Sequence, residues 1–148
     1  MHFLEPADIK GTSFLSLERK GGDDDQFLYL PALGKVLRKG GKTGKNESFM
    51  GTEFSYGDLE SKEVDKATHT LLPGEKVGPV DCYVVESIPK NPEEDGYAKY
   101  VSYISKSNFV SMRIKLFNLK GELFKVMLTE KIEKIDGKDT ITTMTMLN

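Results

Sequence analysis

The residues of this sequence that could support catalysis are two histidines, one cysteine and a few acidic clusters. His2 and His69 have no metal-ligand spacing to each other or to Cys82, so no zinc site is predicted. A cysteine nucleophile would need a histidine base, and the apolar neighbours of Cys82 instead indicate a buried thiol. A hydrolase would need a serine–histidine pair, which the sequence does not place around either histidine. The sequence therefore predicts no catalytic residue, no cofactor and no enzyme.

Three polar runs could bind a cation, bind phosphate or act in acid–base catalysis, but each lacks a feature that its function requires. The triple aspartate at 23–25 lacks the glycine and the distal glutamate of an EF-hand loop. The acidic run at 93–95 lies in a Pro/Gly turn, where nothing would hold two carboxylates in the geometry of acid–base catalysis. The glycine-rich run at 40–45 is followed by Asn46 instead of the Ser or Thr of a phosphate-binding loop. Solvated turns are expected at all three places.

Size and charge exclude several classes of protein. The chain has 148 residues, a common size for one domain, so a single domain over 1–148 is expected. Its 21 basic and 23 acidic residues are scattered, which argues against a nucleic-acid partner. No apolar run reaches the ~18 residues that a membrane-spanning helix needs, so an integral membrane protein is not expected. The first residues also lack the charged and apolar segments of a secretory signal.

The elements that must position any site are strands, because alternation with a period of two dominates the sequence. Residues 11–19 and 26–30 flank a polar turn and predict a hairpin, which Pro31 ends because proline cannot donate to a ladder. A third strand is expected at 35–39. Ser55 as N-cap and Asp58 three residues later predict one short helical turn. The fold class is therefore all-β.

The second half reads as a meander of antiparallel strands. A turn at Pro73-Gly74 is predicted, as are a hairpin at Asp136-Gly137 and a bulge near Glu130. In the strand over 109–117 and the one that follows, alternate apolar residues indicate one buried face and one solvated face. The strands are expected at 69–72, 80–89, 99–105, 109–117, 122–135 and 140–147. The apolar face is predicted to consist of Val110, Met112, Ile114, Leu116, Phe124, Val126 and Leu128, and plain core is the alternative for each of them.

An aromatic block lies among small polar residues at 48–59. It contains more large apolar side chains than a surface loop needs. Either the block folds back over the sheet as a plug, or it forms the rim of a ligand mouth, where a ring can keep one edge wet. The residues concerned are Phe49, Met50, Phe54 and Tyr56.

Several segments together resemble a known family. These are PADIKGTSFL at 6–15, FLYLPAL at 27–33 and SFMGTEFSYGDL at 48–59, followed by CYVVE at 82–86, GYAK at 96–99 and KGELFK at 120–125. Their order and spacing are similar to those of the bacterial outer-membrane lipoprotein-sorting (LolA/LolB-like) family. The resemblance covers essentially the whole chain and is most specific at 48–59.

This resemblance implies a curved antiparallel sheet, a half-open β-barrel of the LolA/LolB type, whose concave apolar face holds acyl chains. It also implies a location in the periplasm or at the outer membrane. Family members would begin with a signal peptide, a helix and further strands and would end with more strands. The sequence lacks these parts, so we expect a central fragment of a longer LolA-like domain. An exposed sheet face or edge strands near 12–17 and 140–147 could then pair in a homodimer.

Two functions follow from these expectations. The first is a non-catalytic carrier of lipids or lipoprotein acyl chains in the bacterial cell envelope, with an envelope transporter or an acceptor lipoprotein as partner. The second is a ligand-free interaction or accessory module of an envelope transporter system. A carrier needs room on its apolar face, whereas an interaction module should fill that face with its own side chains. Methionines suit a carrier because the flexible thioether can repack around different ligands, and the candidates are Met112, Met127, Met144 and Met146.

Overall fold

The structure, a computed structural model, describes residues 1–39, 44–60 and 62–148. These residues form two compact units, Met1–Lys62 and Glu63–Asn148. Residues 40–43 of the glycine-rich run, considered above as a phosphate-binding loop, lie outside the described residues. A single domain over 1–148 stays a prediction. No helix within the described ranges is long and apolar enough to cross a bilayer.

The first unit is built on a three-stranded antiparallel sheet in the order β1-β2-β3. The predicted hairpin is confirmed, since β1 and β2 pair from Ser13↔Tyr29 to Leu17↔Asp25. β2 ends directly before Pro31, as expected for a residue that cannot donate to the ladder. The predicted third strand is also confirmed. The bounds are β1 (Ser13–Leu17), β2 (Asp25–Leu30) and β3 (Lys35–Lys39).

The predicted helical turn is confirmed as a 3-10 helix over Tyr56–Leu59. Ser55 and Asp58 cap each other: the Ser55 amide donates to Asp58 Oδ2 at 2.8 Å, and the Asp58 amide donates to Ser55 Oγ at 3.2 Å. This capping box satisfies two backbone donors that a helix start leaves open. Further single helical turns lie at Pro31–Leu33, Val64–Lys66 and Pro92–Asp95.

The second unit is a six-stranded antiparallel meander in the order β4-β5-β6-β7-β8-β9. The sheet is not closed, because among the described strands β4 and β9 each pair with one neighbour. The all-β class with open antiparallel sheets is therefore confirmed. The bounds are β4 (Ala67–Val77), β5 (Val80–Pro89), β6 (Lys99–Ser105), β7 (Ser111–Phe117), β8 (Leu123–Ile135) and β9 (Lys138–Leu147).

Most turns of the meander lie where the sequence predicts them. β8 and β9 are joined by Asp136 and Gly137, both with positive φ, as a two-residue hairpin requires. The predicted bulge is confirmed, because the pairing of β8 with β9 shifts between Thr129 and Lys131. β7 begins two residues later than expected, since Phe109 adopts a left-handed conformation with φ of 59°.

The turn predicted at Pro73-Gly74 is wrong, because β4 runs through both residues. The pairing with β5 shifts between Leu72 and Glu75, so the two residues form a bulge inside the strand. β4 is an edge strand, where proline is tolerated. The chain reverses instead after Val77, at Gly78, which has a positive φ.

Candidate functional site on two faces of the six-stranded sheet

The pairing register decides which side chains share a face of the sheet. Directly opposed residues of antiparallel strands project to the same side, and successive residues alternate. Ile114 of β7 lies opposite Met127 of β8, whereas Arg113 lies opposite Leu128. The predicted apolar residues of β7 and β8 are therefore distributed over two faces.

One face carries a row of residues that crosses all six strands without a charged side chain. The row ends at Leu71 on β4, which is 68% exposed, and at Met146 on β9, which is 8% exposed. Leu116 and Met144 lie on the same side, each two residues along its strand from a member of the row. We call this the methionine face. The row consists of Leu71, Val85, Ser102, Ile114, Met127 and Met146.

The opposite face combines a buried apolar cluster with charges, and we call it the tyrosine face. The row Leu72, Val84, Tyr103, Arg113, Leu128 and Thr145 crosses its six strands. Val84 and Tyr103 are 1% and 3% exposed and form a cluster with Cys82 and Val101. The predicted burial of the Cys82 thiol is thus confirmed.

The expectation that all seven apolar residues line one face is wrong, and a second bulge is the reason. Next to the turn, Phe117 pairs with Leu123, but the following pair is Leu116 with Lys125. Phe124 is the extra residue. The shift of one residue moves the following side chains of β8 to the opposite face of the sheet. Ile114 and Leu116 therefore lie on the methionine face, while Val126 and Leu128 lie on the tyrosine face.

The two remaining members of the predicted set also lie at irregular positions. Met112 is the extra residue where β6 pairs with β7, and it packs against the buried cluster of the tyrosine face. Val110 precedes β7, and its carbonyl accepts from the Ser105 amide at 2.9 Å. Whether any of these residues binds a ligand stays a prediction.

Charges on the tyrosine face stack on aromatic rings. The Arg113 guanidinium carbon lies 4.0 Å from the centre of the Tyr103 ring, and Lys115 Nζ lies 5.3 Å from the same ring. Lys99 Nζ lies 2.9 Å from Glu86 Oε2. Such contacts over a ring are favourable for a cation, more so for arginine, whose flat group can also stack.

The aromatic block of the first unit is part of that unit's core. Phe49 and Tyr56 are buried with Phe14 and Leu28, and Met50 and Phe54 pack against them. The ring centres of Phe49 and Tyr56 are 5.2 Å apart in an edge-on arrangement. The block thus folds back onto the sheet of its own unit. A plug or rim role toward a ligand stays a prediction.

Each carboxylate of the triple aspartate contacts a side chain of its own unit. Asp23 pairs with Lys45 at 2.5 Å, Ser16 donates to Asp24, and Asp25 pairs with Arg19 and Arg38. These contacts occupy the carboxylates that a cation would need. Within residues 1–39, 44–60 and 62–148, no group of three potential metal ligands comes together.

Serine–histidine contacts exist, contrary to the sequence expectation. His69 Nδ1 lies 2.8 Å from Ser87 Oγ, and its Nε2 lies 2.8 Å from the Val64 carbonyl oxygen. His2 Nδ1 likewise lies 2.8 Å from Ser13 Oγ. The sequence missed these contacts because they join residues across strands. His69 and Ser87 are direct partners within the β4–β5 ladder.

Comparisons with known proteins agree with this fold. A protein-family model described as "Uncharacterized protein" matches residues 1–148. A solved outer membrane lipoprotein-sorting protein domain from Vibrio parahaemolyticus is 36% identical, with a TM-score of 0.86 over 98% of this chain and 61% of that chain. A DUF1329 family protein from Desulfovibrio piger is 35% identical, with a TM-score of 0.85 over 97% of this chain and 60% of that one. No curated protein matches by sequence.

A third solved structure supports the fold alone. A LolA superfamily protein from Nitrosomonas europaea is 22% identical, with a TM-score of 0.66 over 98% of this chain and 61% of that chain. The chain spans about three fifths of the length of these solved relatives. The chain therefore belongs to the family described as "Uncharacterized protein", whose model matches residues 1–148, and its fold is that of the LolA-like, outer membrane lipoprotein-sorting proteins.

Proposed function

We propose that the chain is part of a non-catalytic carrier of the bacterial cell envelope, which holds lipid or lipoprotein acyl chains on the methionine face. The observation that carries this proposal is the row without a charged side chain across six strands, from Leu71 to Met146. An acyl chain binds by losing contact with water, and each buried methylene contributes about 0.8 kcal/mol. A stripe without charges lets a long chain lie across the sheet with no charged group of the row to desolvate.

The side chains of the methionine face suit ligands of varying shape. Met127 is partly exposed and Met144 is 45% exposed, so their thioethers are accessible. Unbranched methionine repacks at low cost, which favours a surface that accepts chains of different length. This revises the predicted site: Ile114 and Leu116 stay in it, whereas Met112, Val126 and Leu128 belong to the opposite face.

The names of the relatives support the same class of function. The Vibrio protein is described as an outer membrane lipoprotein-sorting domain and the Nitrosomonas protein as a member of the LolA superfamily. We propose a location in the periplasm or at the outer membrane, with an envelope transporter or acceptor lipoprotein as partner, and the likeness to the Vibrio protein supports this proposal. The chain spans about three fifths of the length of these relatives, so the activity of a whole protein of their length is itself part of the proposal.

The alternative is a ligand-free interaction or accessory module of an envelope transporter system. Burial of Leu116 and Met146 favours it, because these two side chains of the methionine face are only 5% and 8% exposed. A face filled by the protein itself leaves less room for a ligand. A homodimer formed through this face or through the edge strands would fill it in the same way.

Native mass spectrometry of the purified 148-residue chain, followed by organic extraction, tests the proposal. A carrier should release co-purified acyl species on denaturation. A ligand-free monomer or dimer that also fails to bind an added fluorescent fatty acid would overturn the carrier and leave the alternative.

Two neighbouring variants locate the site. Met127→Gln and Leu128→Gln place a similar amide at adjacent positions of β8 that face opposite sides. Met127→Gln should weaken fatty-acid binding about tenfold or more, because a buried amide without a partner opposes an apolar ligand. Leu128→Gln should leave binding unchanged. Equal effects of the two variants would show that the methionine face is not the site.

A further inference from the structure

We infer that Arg113 and Lys115 on the tyrosine face form a binding site for an oxyanion, a phosphate or carboxylate group. This inference is independent of the proposed function, because the acyl-chain site lies on the opposite face of the sheet. It rests on the lack of a carboxylate beside two partly buried cations.

The three arginines of the chain differ in an informative way. Arg19 and Arg38 have side chains that are 61% and 68% exposed, and both pair with Asp25. Arg113 is less exposed than either, yet no carboxylate among the described residues pairs with it. Its Nε is buried without a hydrogen-bond partner. The arginine with least access to water thus lacks the counterion that the two exposed arginines have.

Three lysines with buried or partly buried side chains show the same contrast. Lys39, Lys45 and Lys99 each lie within 3.3 Å of a carboxylate oxygen. Lys115 is also partly buried, but within the described ranges no carboxylate lies in ion-pair distance of it. Removing a charge from water is unfavourable unless an opposite charge or a hydrogen-bond partner replaces the water. Lys115 therefore has the environment of a cation whose counterion comes from outside.

Arg113 and Lys115 also lie close enough together to act on one anion. They are two residues apart on β7, project to the same side, and both lie over the Tyr103 ring at 4.0 and 5.3 Å. Like charges at this spacing repel each other, and an anion between them would remove the repulsion. Stacking on Tyr103 fixes the guanidinium plane, which leaves its outer N–H groups to donate to two oxygens.

Among the described residues, the two carboxylates near this face contact other groups: Glu86 pairs with Lys99, and Glu130 accepts a hydrogen bond from Thr145. Glu86 lies two strands from Lys115, about 10 Å away at the usual strand spacing, and its carboxylate is bound by Lys99. The direct neighbours of the pair on β8 are Val126 and Leu128, which carry no charge. An oxyanion, either free or on the headgroup of an anionic lipid, fits a cationic pair with apolar neighbours.

The test follows the Arg113 Nε–Hε signal by nuclear magnetic resonance in the 148-residue chain. Titration with inorganic phosphate should shift this signal in a saturable way if the site takes a free anion. Phosphatidylglycerol vesicles, with phosphatidylcholine vesicles as the uncharged control, test the lipid headgroup. Binding in either arm supports the site and identifies the source of the anion, and binding in neither arm overturns it.

Variants separate this site from general attraction to a cation. Lys115→Gln should weaken the bound anion about tenfold, as expected for loss of one charge-assisted hydrogen bond, while Lys115→Arg retains binding. Lys125→Gln removes a cation from the opposite face and is the matched control. Equal weakening by Lys115→Gln and Lys125→Gln would show that the shift reports net charge, and the site would be rejected. The stability of each variant is checked by circular dichroism.

Discussion

Lys45 Nζ lies 3.1 Å from Glu60 Oε2 in the interior of the first unit, and the same ammonium lies 2.5 Å from Asp23 Oδ1. One cation thus serves two carboxylates. Burial raises the pKa of the Glu60 carboxyl. Burial also opposes the charge of Lys45, but its hydrogen bonds to Asp23 and Glu60 outweigh that effect and raise its pKa. The cluster joins the loop after β1, the segment after β3 and the end of the capped helical turn.

Removing this cation should destabilise the first unit strongly. Lys45→Met leaves two carboxylates close together, one of them buried, and the free energy of unfolding should fall by about 3 kcal/mol. Urea denaturation followed by circular dichroism measures the change. Lys39→Met is the control, because its pair with the exposed Glu47 should contribute at most about 1 kcal/mol. An equal loss in both variants would mean that the Lys45 cluster has no special role.

The free energy of unfolding of the first unit should decrease at low pH because Asp25 becomes protonated. Its hydrogen bond with Arg38 and the charge of Arg19 hold the pKa of this carboxyl below its usual 3.8. A lowered folded-state pKa stabilises the fold above the unfolded-state pKa, and this contribution is lost as the pH falls through the folded-state value. The stability gap between wild type and Asp25→Asn should therefore be constant from pH 7 to 5 and begin to narrow as the pH falls below about 3.8. A gap that does not narrow between pH 5 and pH 2 would contradict this assignment.

The capping box should contribute a measurable share of local stability. Asp58→Ala removes the acceptor for the Ser55 amide and should lower the free energy of unfolding by about 1 kcal/mol. Asp58→Asn keeps an acceptor oxygen and should stay close to wild type. Hydrogen exchange of the Ser55 amide is the readout, since it reports this bond directly. Protection that survives in Asp58→Ala would mean that another group satisfies the amide.

Elements with local signals could be predicted from the sequence. Val80–Pro89 and Lys99–Ser105 were predicted with the bounds that the structure shows, because alternation and flanking turn residues mark their ends. The helical turn after Ser55 was predicted for the same reason, since its cap is local. Contacts between distant residues, such as Lys45 with Asp23 and Glu60, leave no comparable pattern.

The candidate site could be predicted only in part, because a bulge is a local event with a long-range effect. Alternation identified the apolar residues of β7 and β8 correctly. The prediction that they share a face also required the pairing next to the turn at 118–122 to continue unchanged along both strands. The extra residue Phe124 shifts that register by one. Ile114 and Val126, expected on one face, therefore lie on opposite faces. The alternation of apolar and polar residues in each strand is the same whether the two residues share a face or lie on opposite faces.

Gly74 offers a direct test of the other bulge, the one that replaced the predicted turn in β4. A Cβ atom at this position would lie 3.0 Å from the Cys82 carbonyl oxygen, a backbone atom that cannot easily move away. Gly74→Ala should therefore destabilise the second unit by about 1–3 kcal/mol, as overpacking does in a tight contact. Thermal unfolding followed by circular dichroism measures the loss. Gly78→Asn is the control, because open space surrounds Gly78 and asparagine tolerates its positive φ, so its effect should be smaller. If Gly74→Ala unfolds at the wild-type temperature, the Cys82 carbonyl does not restrict this position, and the prediction fails.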